Sequence, residues 1–301
     1  MKQIIIVAGG TGNLGKRIVR ALLAKDTEVR VLARLSTDSE KLRKLESSGA
    51  KIFKVDMSHP EEIAKACKGA SCVVSALAGL RDVVIDAQKV LLEGAVAAGV
   101  PRFIPSDYSL DFTQLDPGNN RNLDLRREFH QILDKAPIAA TSIFNGPFTE
   151  LLTNEMPMIL PKFRSVLFWG DADQKMDFTT MDDVAAFTAK VALDYSTPRY
   201  LWIAGDQISA REIRDIQSAL SKEKFRLIRA GGIGLLNTFI TIGRTLSPAE
   251  KDLYPAWQGM QYMRDMAEGK AKVSLYDNDR YGERKWTKVK NVLEQKKAQK
   301  H

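Results

Sequence analysis

Residues 3–19, Gln-Ile-Ile-Ile-Val-Ala-Gly-Gly-Thr-Gly-Asn-Leu-Gly-Lys-Arg-Ile-Val, restrict the architecture more than any other stretch of this chain. The β-branched run Ile4-Ile5-Ile6-Val7 suits a buried strand, because crowding at χ1 disfavours it in a helix. Gly9, Gly12 and Gly15 follow at three-residue spacing, and Ile18, Val19, Leu22 and Leu23 then mark the apolar face of a helix. A strand that turns at once into a helix leaves backbone N–H groups unpaired at the positive end of the macrodipole. Glycines let a phosphate reach those amides with no Cβ in the way. The combination predicts a dinucleotide-binding turn, contacted by Gly9, Thr11, Gly12, Asn13, Leu14 and Gly15, rather than a plain glycine loop.

The next strand discriminates between dinucleotides. Glu28-Val29-Arg30-Val31-Leu32-Ala33 alternates, and Arg34 ends it. In a βαβ site the tip of this strand faces the adenosine ribose, where a carboxylate selects NAD and an arginine suits the 2′-phosphate of NADP. Residues 31–36 contain no Asp or Glu, and a guanidinium pairs bidentately with phosphate. The expected cofactor is therefore NADP(H), against the plainer reading of Arg34 as a solvated surface arginine.

A chain of 301 residues, 44% hydrophobic and 27% charged, has enough apolar material for one large domain or one with a smaller lobe. The first strand starts at the N-terminus and no long apolar run occurs, so neither a signal peptide nor a membrane span is expected. Cys67 and Cys72 read as packed small hydrophobes, which points to a reducing, cytoplasmic setting. The net charge of +8 gathers near the end, in Arg284, Lys285, Lys288, Lys290, Lys296, Lys297 and Lys300. Apart from Trp286 that cluster lacks aromatics for base stacking, and it reads as a solvated helix face or tail, not a nucleic-acid site. His59, His130 and His301 with two cysteines offer no metal-ligand spacing. No Gly-x-Ser-x-Gly elbow is present either, which sets aside acyl transfer.

Strands are predicted at 3–8, 28–33, 51–55, 71–75, 102–105 and 140–144, and helices at 13–24, 38–48, 60–68, 82–98 and 122–135. This alternation predicts an α/β fold, a doubly wound parallel sheet. Asp38 and Ser58 read as helix starts, Gly49 and Gly99 as stops. Ligands bind outside the carboxyl ends of such strands, which gathers Gly9–Gly15, Arg34, Asp56–Met57, Ala76–Gly79 and Ser106–Tyr108 on one rim. Asp56 reads either as a partner of the adenine amino group or as a turn cap, with Met57 beside it as an apolar contact. Ala76 and Ala78 are small enough to let a ribose and pyrophosphate lie close. Beyond residue 145 the pattern loosens, with strands near 164–168 and 199–203 and helices at 181–193, 209–220 and 248–268. The expected division is 1–156 for nucleotide binding and 157–301 for a smaller α+β substrate lobe, with 181–203 returning to the first.

Val7–Gly15, Pro101-Arg102-Phe103-Ile104-Pro105-Ser106-Asp107-Tyr108, Ile138–Thr141, Asn145-Gly146-Pro147-Phe148 and Trp286-Thr287-Lys288-Val289 carry a resemblance along nearly the whole chain. Together they resemble the NmrA-like atypical short-chain dehydrogenase/reductases, in particular their isoflavone reductase-like branch. The resemblance implies a Rossmann domain with a small C-terminal substrate domain, NADP(H) as cofactor, and Asn145, Pro147 and Phe148 as further cofactor contacts. It departs from the pattern in its chemistry. In the first lobe no tyrosine opens a Tyr-x-x-x-Lys pair, Tyr108 being followed by Phe112, and the place of the branch's helical lysine falls at Arg126 or its neighbour Arg127. Arginine stays protonated and is a poor general acid, but it stabilises a developing oxyanion.

The remaining candidates keep two readings each. Tyr108 is either a proton donor, its pKa lowered by Arg126, or an aromatic flank of the nicotinamide. Ser106 orients a carbonyl or binds the nicotinamide ribose, and Asp107 reads as a polar rim residue. His130 shares a helix face with Arg126 and reads as a packed histidine before a base. Trp257, Met260, Gln261 and Arg264, with Met263, Met266 and Tyr254 nearby, form either a pocket wall or a core or dimer seam. The function expected is an NADP(H)-dependent oxidoreductase passing hydride to a small aromatic, quinone or enone-type acceptor. The alternative is an NADP(H)-sensing regulator without turnover.

Overall fold

The computed structural model describes residues 2–153 and 155–299, so Lys300 and His301 of the basic tail lie outside the described residues. In chain order the first elements are β1 (Ile4–Ala8), α1 (Asn13–Leu23), β2 (Glu28–Arg34), α2 (Ser39–Ser47), β3 (Lys51–Val55), α3 (Pro60–Cys67) and β4 (Cys72–Ser75). A π-helical turn (Asp82–Ala87) then runs into α4 (Gln88–Ala97), followed by β5 (Arg102–Ile104), α5 (Arg121–Leu133), β6 (Ala139–Ala140) and β7 (Ser142–Phe144). The first six strands form one parallel sheet in the order β3-β2-β1-β4-β5-β6, the strand order of a Rossmann fold.

Both faces of this sheet are covered, which is why its strands read as apolar runs rather than alternating ones. Ile5, Ile6, Val7 and Ala8 are all fully buried. Ile6, Ala8, Val73 and Phe103 pack with Ile63 of α3, Leu91 of α4 and Phe129 of α5 in one cluster. Helix ends follow local chemistry. Asp38 accepts from the amides of Glu40 and Lys41 at 2.7 and 3.1 Å, while Gly49 and Gly99, at φ +103° and +68°, take the left-handed turn after α2 and α4. Ser58 is not itself a cap: His59 takes the N-cap position before Pro60, and Ser58 folds back onto Asp56.

The single strand expected at 140–144 is two. At Thr141 the chain leaves the sheet: the amide of Thr141 still donates to Phe103, but that of Ser142 donates to Arg199 at 2.9 Å.

The later elements are β8 (Ile159–Leu160), β9 (Ser165–Trp169), β10 (Met176–Phe178), α6 (Met181–Leu193), β11 (Tyr200–Trp202), β12 (Asp206–Ile208), α7 (Ala210–Ser221), β13 (Arg226–Gly231), α8 (Ile233–Leu246), α9 (Ala256–Glu268) and α10 (Val289–Ala298). Two compact units result. One comprises Met1–Tyr108, Leu125–Ile143 and Met181–Leu201; the other comprises Ser109–Asp124, Phe144–Thr180 and Trp202–His301.

In the first unit α6 packs on α1, and Asp182 pairs with Arg17 and Arg20 at 2.5 and 2.9 Å. In the second, β9 runs parallel to β13 and antiparallel to β8, and β10 pairs antiparallel with β12. A capping box opens α7, with Ser209 and Glu212 each bonding the other's backbone amide. Gly243 lets α8 approach α9, since a Cβ there would lie 3.2 Å from Trp257 Cβ. Among the described residues no helix is long and apolar enough to cross a membrane.

Candidate functional site

The carboxyl edge of the sheet in the first unit assembles most of the expected rim. Gly9 turns the chain at φ +80°, and a Cβ on it would sit 2.5 Å from the Ala76 carbonyl oxygen. The Gly12 amide closes the turn on the Gly9 carbonyl at 2.9 Å. Gly15 seats α1 against that turn, and a Cβ there would be 2.1 Å from the Gly9 oxygen. Helix α1 starts after Gly12 with no side-chain cap and no acid in its first turn. Its leading amides thus face outward with nothing negative beside them, which is the arrangement a pyrophosphate requires. Gly12 and Asn13 are exposed, Thr11 and Leu14 half-buried.

Register aligns the other rim positions. Ala8 lies opposite Leu32 on one side and Ser75 on the other, so Arg34, at the end of β2, extends two residues past the end of β1. Arg34 is exposed, and no carboxylate among the described residues pairs with it. The residues present therefore fit a dinucleotide carrying a 2′-phosphate: a cradle only glycine permits, uncapped amides and an uncommitted guanidinium.

Asp56 follows Val55, which pairs with Arg34. Its Oδ1 accepts from the Ser58 amide and hydroxyl at 2.9 and 2.6 Å, and its Oδ2 lies 3.1 Å from His59 Nδ1. The Ser58 hydrogen bonds, side chain first, hold its carboxyl below the usual range. Of its two readings the turn role is the one occupied. Met57 and Ala76 are half-buried and Ala78 exposed.

Ser106 follows β5, fixed by two bonds. Its amide donates to Gln88 Oε1 at 2.9 Å and its hydroxyl to the Leu77 carbonyl at 2.7 Å. As a donor the hydroxyl is committed; its lone pairs remain as acceptors. Gln88, 1% exposed, sits where the π-helical turn passes into α4 and also donates to the Val84 carbonyl at 2.9 Å. Arg126, from α5, donates its Nε to the Ser106 carbonyl at 3.2 Å.

Tyr108 does not fit the proton-donor reading. Its hydroxyl is buried, facing Thr188 without a well-formed hydrogen bond. Burial, the dominant cause, moves its pKa upward, opposite to the lowering expected from Arg126.

Beneath Ser106 lies a polar network that the sequence did not announce. Asp107, fully buried, sits 2.7 Å from His130 Nε2 and accepts from Ser142 Oγ at 2.6 Å. Ser142 in turn accepts from Arg199 Nη1 at 2.7 Å, and Arg199 Nε donates to Asp134 at 2.9 Å. Burial pulls the Asp107 carboxyl upward, but His130, Ser142 and Arg126 together outweigh it and hold the carboxyl below its ordinary range. Asp107 is thus a buried anchor rather than a rim residue. The only signal in the sequence was His130 on the Arg126 face of α5.

In the second unit, Asn145 is fully buried; its Nδ2 donates to the Gly146 carbonyl at 2.7 Å while its Oδ1 has no partner. Gly146, at φ +65°, passes the Asp177 carbonyl so closely that a Cβ would be 2.5 Å away. Pro147 and Phe148 are half-buried. Along α9, Gln258, Gln261, Arg264 and Asp265 are buried, whereas Met260 and Met263 are only half-buried and Tyr254 is exposed. Its buried face is therefore largely a polar network, with Asn120 bridging Gln258 and Asp265 at 2.8 and 2.7 Å. Cys67 and Cys72 are free and buried. No group of three or more His, Cys, Asp or Glu among the described residues is placed to hold a metal ion.

Comparison with known proteins adds three findings. Residues 1–250 match the NmrA-like family. Pinoresinol reductase 1 of Arabidopsis thaliana is 32% identical over 210 residues, 65% of this chain and 66% of that protein. A bifunctional pinoresinol-lariciresinol reductase of Linum usitatissimum is 32% identical over 207 residues, 64% and 66% of the two chains. The match thus spans 66% of the length of these curated relatives. Among solved structures, AtPrR2 with NADP+ and (+)pinoresinol superposes with a TM-score of 0.84 at 24% identity, covering 98% of both chains. The NADPH-dependent quinone oxidoreductase QOR2 from Escherichia coli gives 0.75 at 18% identity, covering 99% of this chain and 100% of that one. At these identities the structural likenesses carry the fold.

Proposed function

The chain belongs to the NmrA-like family, and from that premise we propose that it is an NADP(H)-dependent reductase passing hydride to a small aromatic, quinone or enone-type acceptor. The curated relatives are, by name, a pinoresinol reductase and a bifunctional pinoresinol-lariciresinol reductase. The observation that carries the reading is the glycine cradle beside an exposed Arg34 with no acid at the β2 tip.

The cofactor, when bound, supplies the hydride. Gly9, Thr11, Gly12, Asn13, Leu14 and Gly15 receive its pyrophosphate on the backbone amides that open α1. Arg34 takes the 2′-phosphate through a charge-assisted pair. Met57, Ala76 and Ala78 line the same rim, and Asp56 shapes the turn that presents Met57. Asn145, Pro147 and Phe148 stay in the proposed cofactor set on the family resemblance, with the unpartnered Oδ1 of Asn145 as the acceptor available to a ligand.

Ser106 offers acceptor lone pairs to a ribose hydroxyl. Arg126 holds a permanent positive charge beside Ser106, where it stabilises negative charge developing on the acceptor oxygen. Neither residue releases a proton easily, which favours acceptors such as quinones, whose reduction needs little help from a protein acid. The reading keeps the reducing, cytoplasmic setting that unpaired buried cysteines suit.

The second reading, an NADP(H) sensor without turnover, draws on one observation: the rim carries Arg126 and a deeply buried Tyr108 in place of a proton donor. Calorimetric titration with NADPH and NADH, followed by NADPH oxidation against quinones, enones and aryl ethers, separates the two. Binding with turnover is expected, and an Arg34→Ala variant should lose roughly tenfold in NADPH affinity, one charged hydrogen bond's worth, with NADH unchanged. Tight binding with no turnover on any acceptor selects the sensor; equal loss for both coenzymes removes Arg34 from the 2′-phosphate.

A further inference from the structure

The second unit carries a pocket of about 370 Å³ to which none of the rim residues contributes, and we propose that it binds a small organic monocarboxylate. Its walls come from the loop before α5 and from facing sides of α8 and α9. The volume lies at the low end of the range for small-molecule sites.

Three sets of donors converge there. Arg264 is 7% exposed. Its Nε and Nη2 donate to Asp265 Oδ1 at 2.9 and 2.7 Å, and Nη2 also donates to the Asn119 carbonyl at 2.8 Å. These bonds fix the plane of the guanidinium. Nη1 is left with one long contact, 3.4 Å to Asn237 Oδ1, for its two N–H groups. Gln261, 2% exposed, commits its Oε1 to the Arg121 amide at 3.2 Å, and among the described residues its Nε2 donates to nothing. Arg244 stacks over Trp257 at 5.3 Å, and no carboxylate among the described residues pairs with it. Arg264 Nη1 and Gln261 Nε2 thus present donors to the pocket from which a bound carboxylate can accept.

Charge selects the kind of ligand. Asp265 balances Arg264 at 2.7 Å, and Lys270 lies 3.2 Å from Glu268 and 3.8 Å from Asp116, so Arg244 is the cation of the lining that no acid among the described residues pairs with. A monoanion neutralises it, whereas a dianion would carry its second charge toward Glu268, which also lines the pocket. A planar carboxylate matches a guanidinium fork and still leaves an oxygen for the Gln261 amide.

The test uses the full chain with ¹⁵N-labelled side chains, titrated separately with acetate, pyruvate, benzoate and inorganic phosphate. The Gln261 side-chain amide signals, assigned with a Gln261→Ala variant, are followed by NMR. At least one carboxylate is expected to give saturable shifts of those signals. Arg244→Met, a change at an exposed position, should weaken that binding about tenfold or more, as loss of a charged hydrogen bond does. Arg244→Lys, which keeps the charge without the fork, should fall between. No saturable shift with any of the three carboxylates would overturn the proposal. So would unchanged affinity in Arg244→Met, or phosphate binding as tightly as the best carboxylate.

Discussion

Replacing Asp107 tests whether the network beneath Ser106 holds the rim in place. Its carboxylate is 0% exposed and receives His130 at 2.7 Å and Ser142 at 2.6 Å. Asp107→Ala leaves an imidazole N–H and a hydroxyl in the interior without that acceptor. Leaving a buried donor without its acceptor costs about 1–3 kcal/mol, more where the lost partner carried a charge. Two donors lose a charged acceptor here, but Ser142 Oγ also lies 3.2 Å from His130 Nε2 and the two can partly satisfy each other, so the expected loss is roughly 3 kcal/mol. Asp107→Asn keeps an oxygen but turns two charge-assisted bonds into neutral ones, a loss of about 2 kcal/mol.

Urea unfolding followed by circular dichroism reads both values from the linear extrapolation. The pH dependence has a fixed sign. The folded-state pKa of Asp107 is lowered, so its contribution is complete above the unfolded carboxylate value of about 3.9 and disappears as pH falls through the folded value. The gap between the native protein and Asp107→Asn should therefore be full near about pH 7 and close below about pH 4. A loss under about 1 kcal/mol for Asp107→Ala, within the range of an ordinary surface change, would refute the reasoning.

Two further outcomes follow from geometry. Gly15→Ala places a Cβ 2.1 Å from the Gly9 carbonyl oxygen; relieving that overlap at a strain of about 1–3 kcal/mol should weaken NADPH roughly tenfold to a hundredfold in a calorimetric titration. Burial pushes the thiols of both Cys67 and Cys72 up to about 12, so neither should react with an aromatic disulfide reagent in mildly alkaline buffer until the chain is unfolded by urea.

The parallel sheet and its glycine turn were legible because their physics is local. A β-branched run, a forced backbone approach and a helix face adjoin within the first two dozen residues. The break at Thr141 was not, since the competing partner of Ser142 is the carbonyl of Arg199, far along the chain. Helix α8 escaped notice for an intrinsic reason. Its sequence, Ile-Gly-Leu-Leu-Asn-Thr-Phe-Ile-Thr-Ile-Gly-Arg-Thr-Leu, mixes glycines with β-branched residues, both weak helix formers. Its packing on α9 holds it helical nonetheless. That omission also hid the pocket, for which α8 supplies Asn237 and Arg244. On the rim, positions set by strand ends were readable, whereas the state of Tyr108 and Asp107 depended on burial that no short-range pattern encodes.

The nucleotide-binding unit is stitched from three stretches of chain, the last being Met181–Leu201. A ribosome must therefore synthesise about two thirds of the polypeptide before that unit has all its parts, and Arg17 and Arg20 wait for Asp182 until then. Assembly of this kind is dominated by distant pairings and is correspondingly slow. An excised N-terminal fragment ending before Met181 would expose the apolar side of α1, so cutting the gene at the apparent end of the β/α alternation should yield aggregate instead of a working coenzyme module.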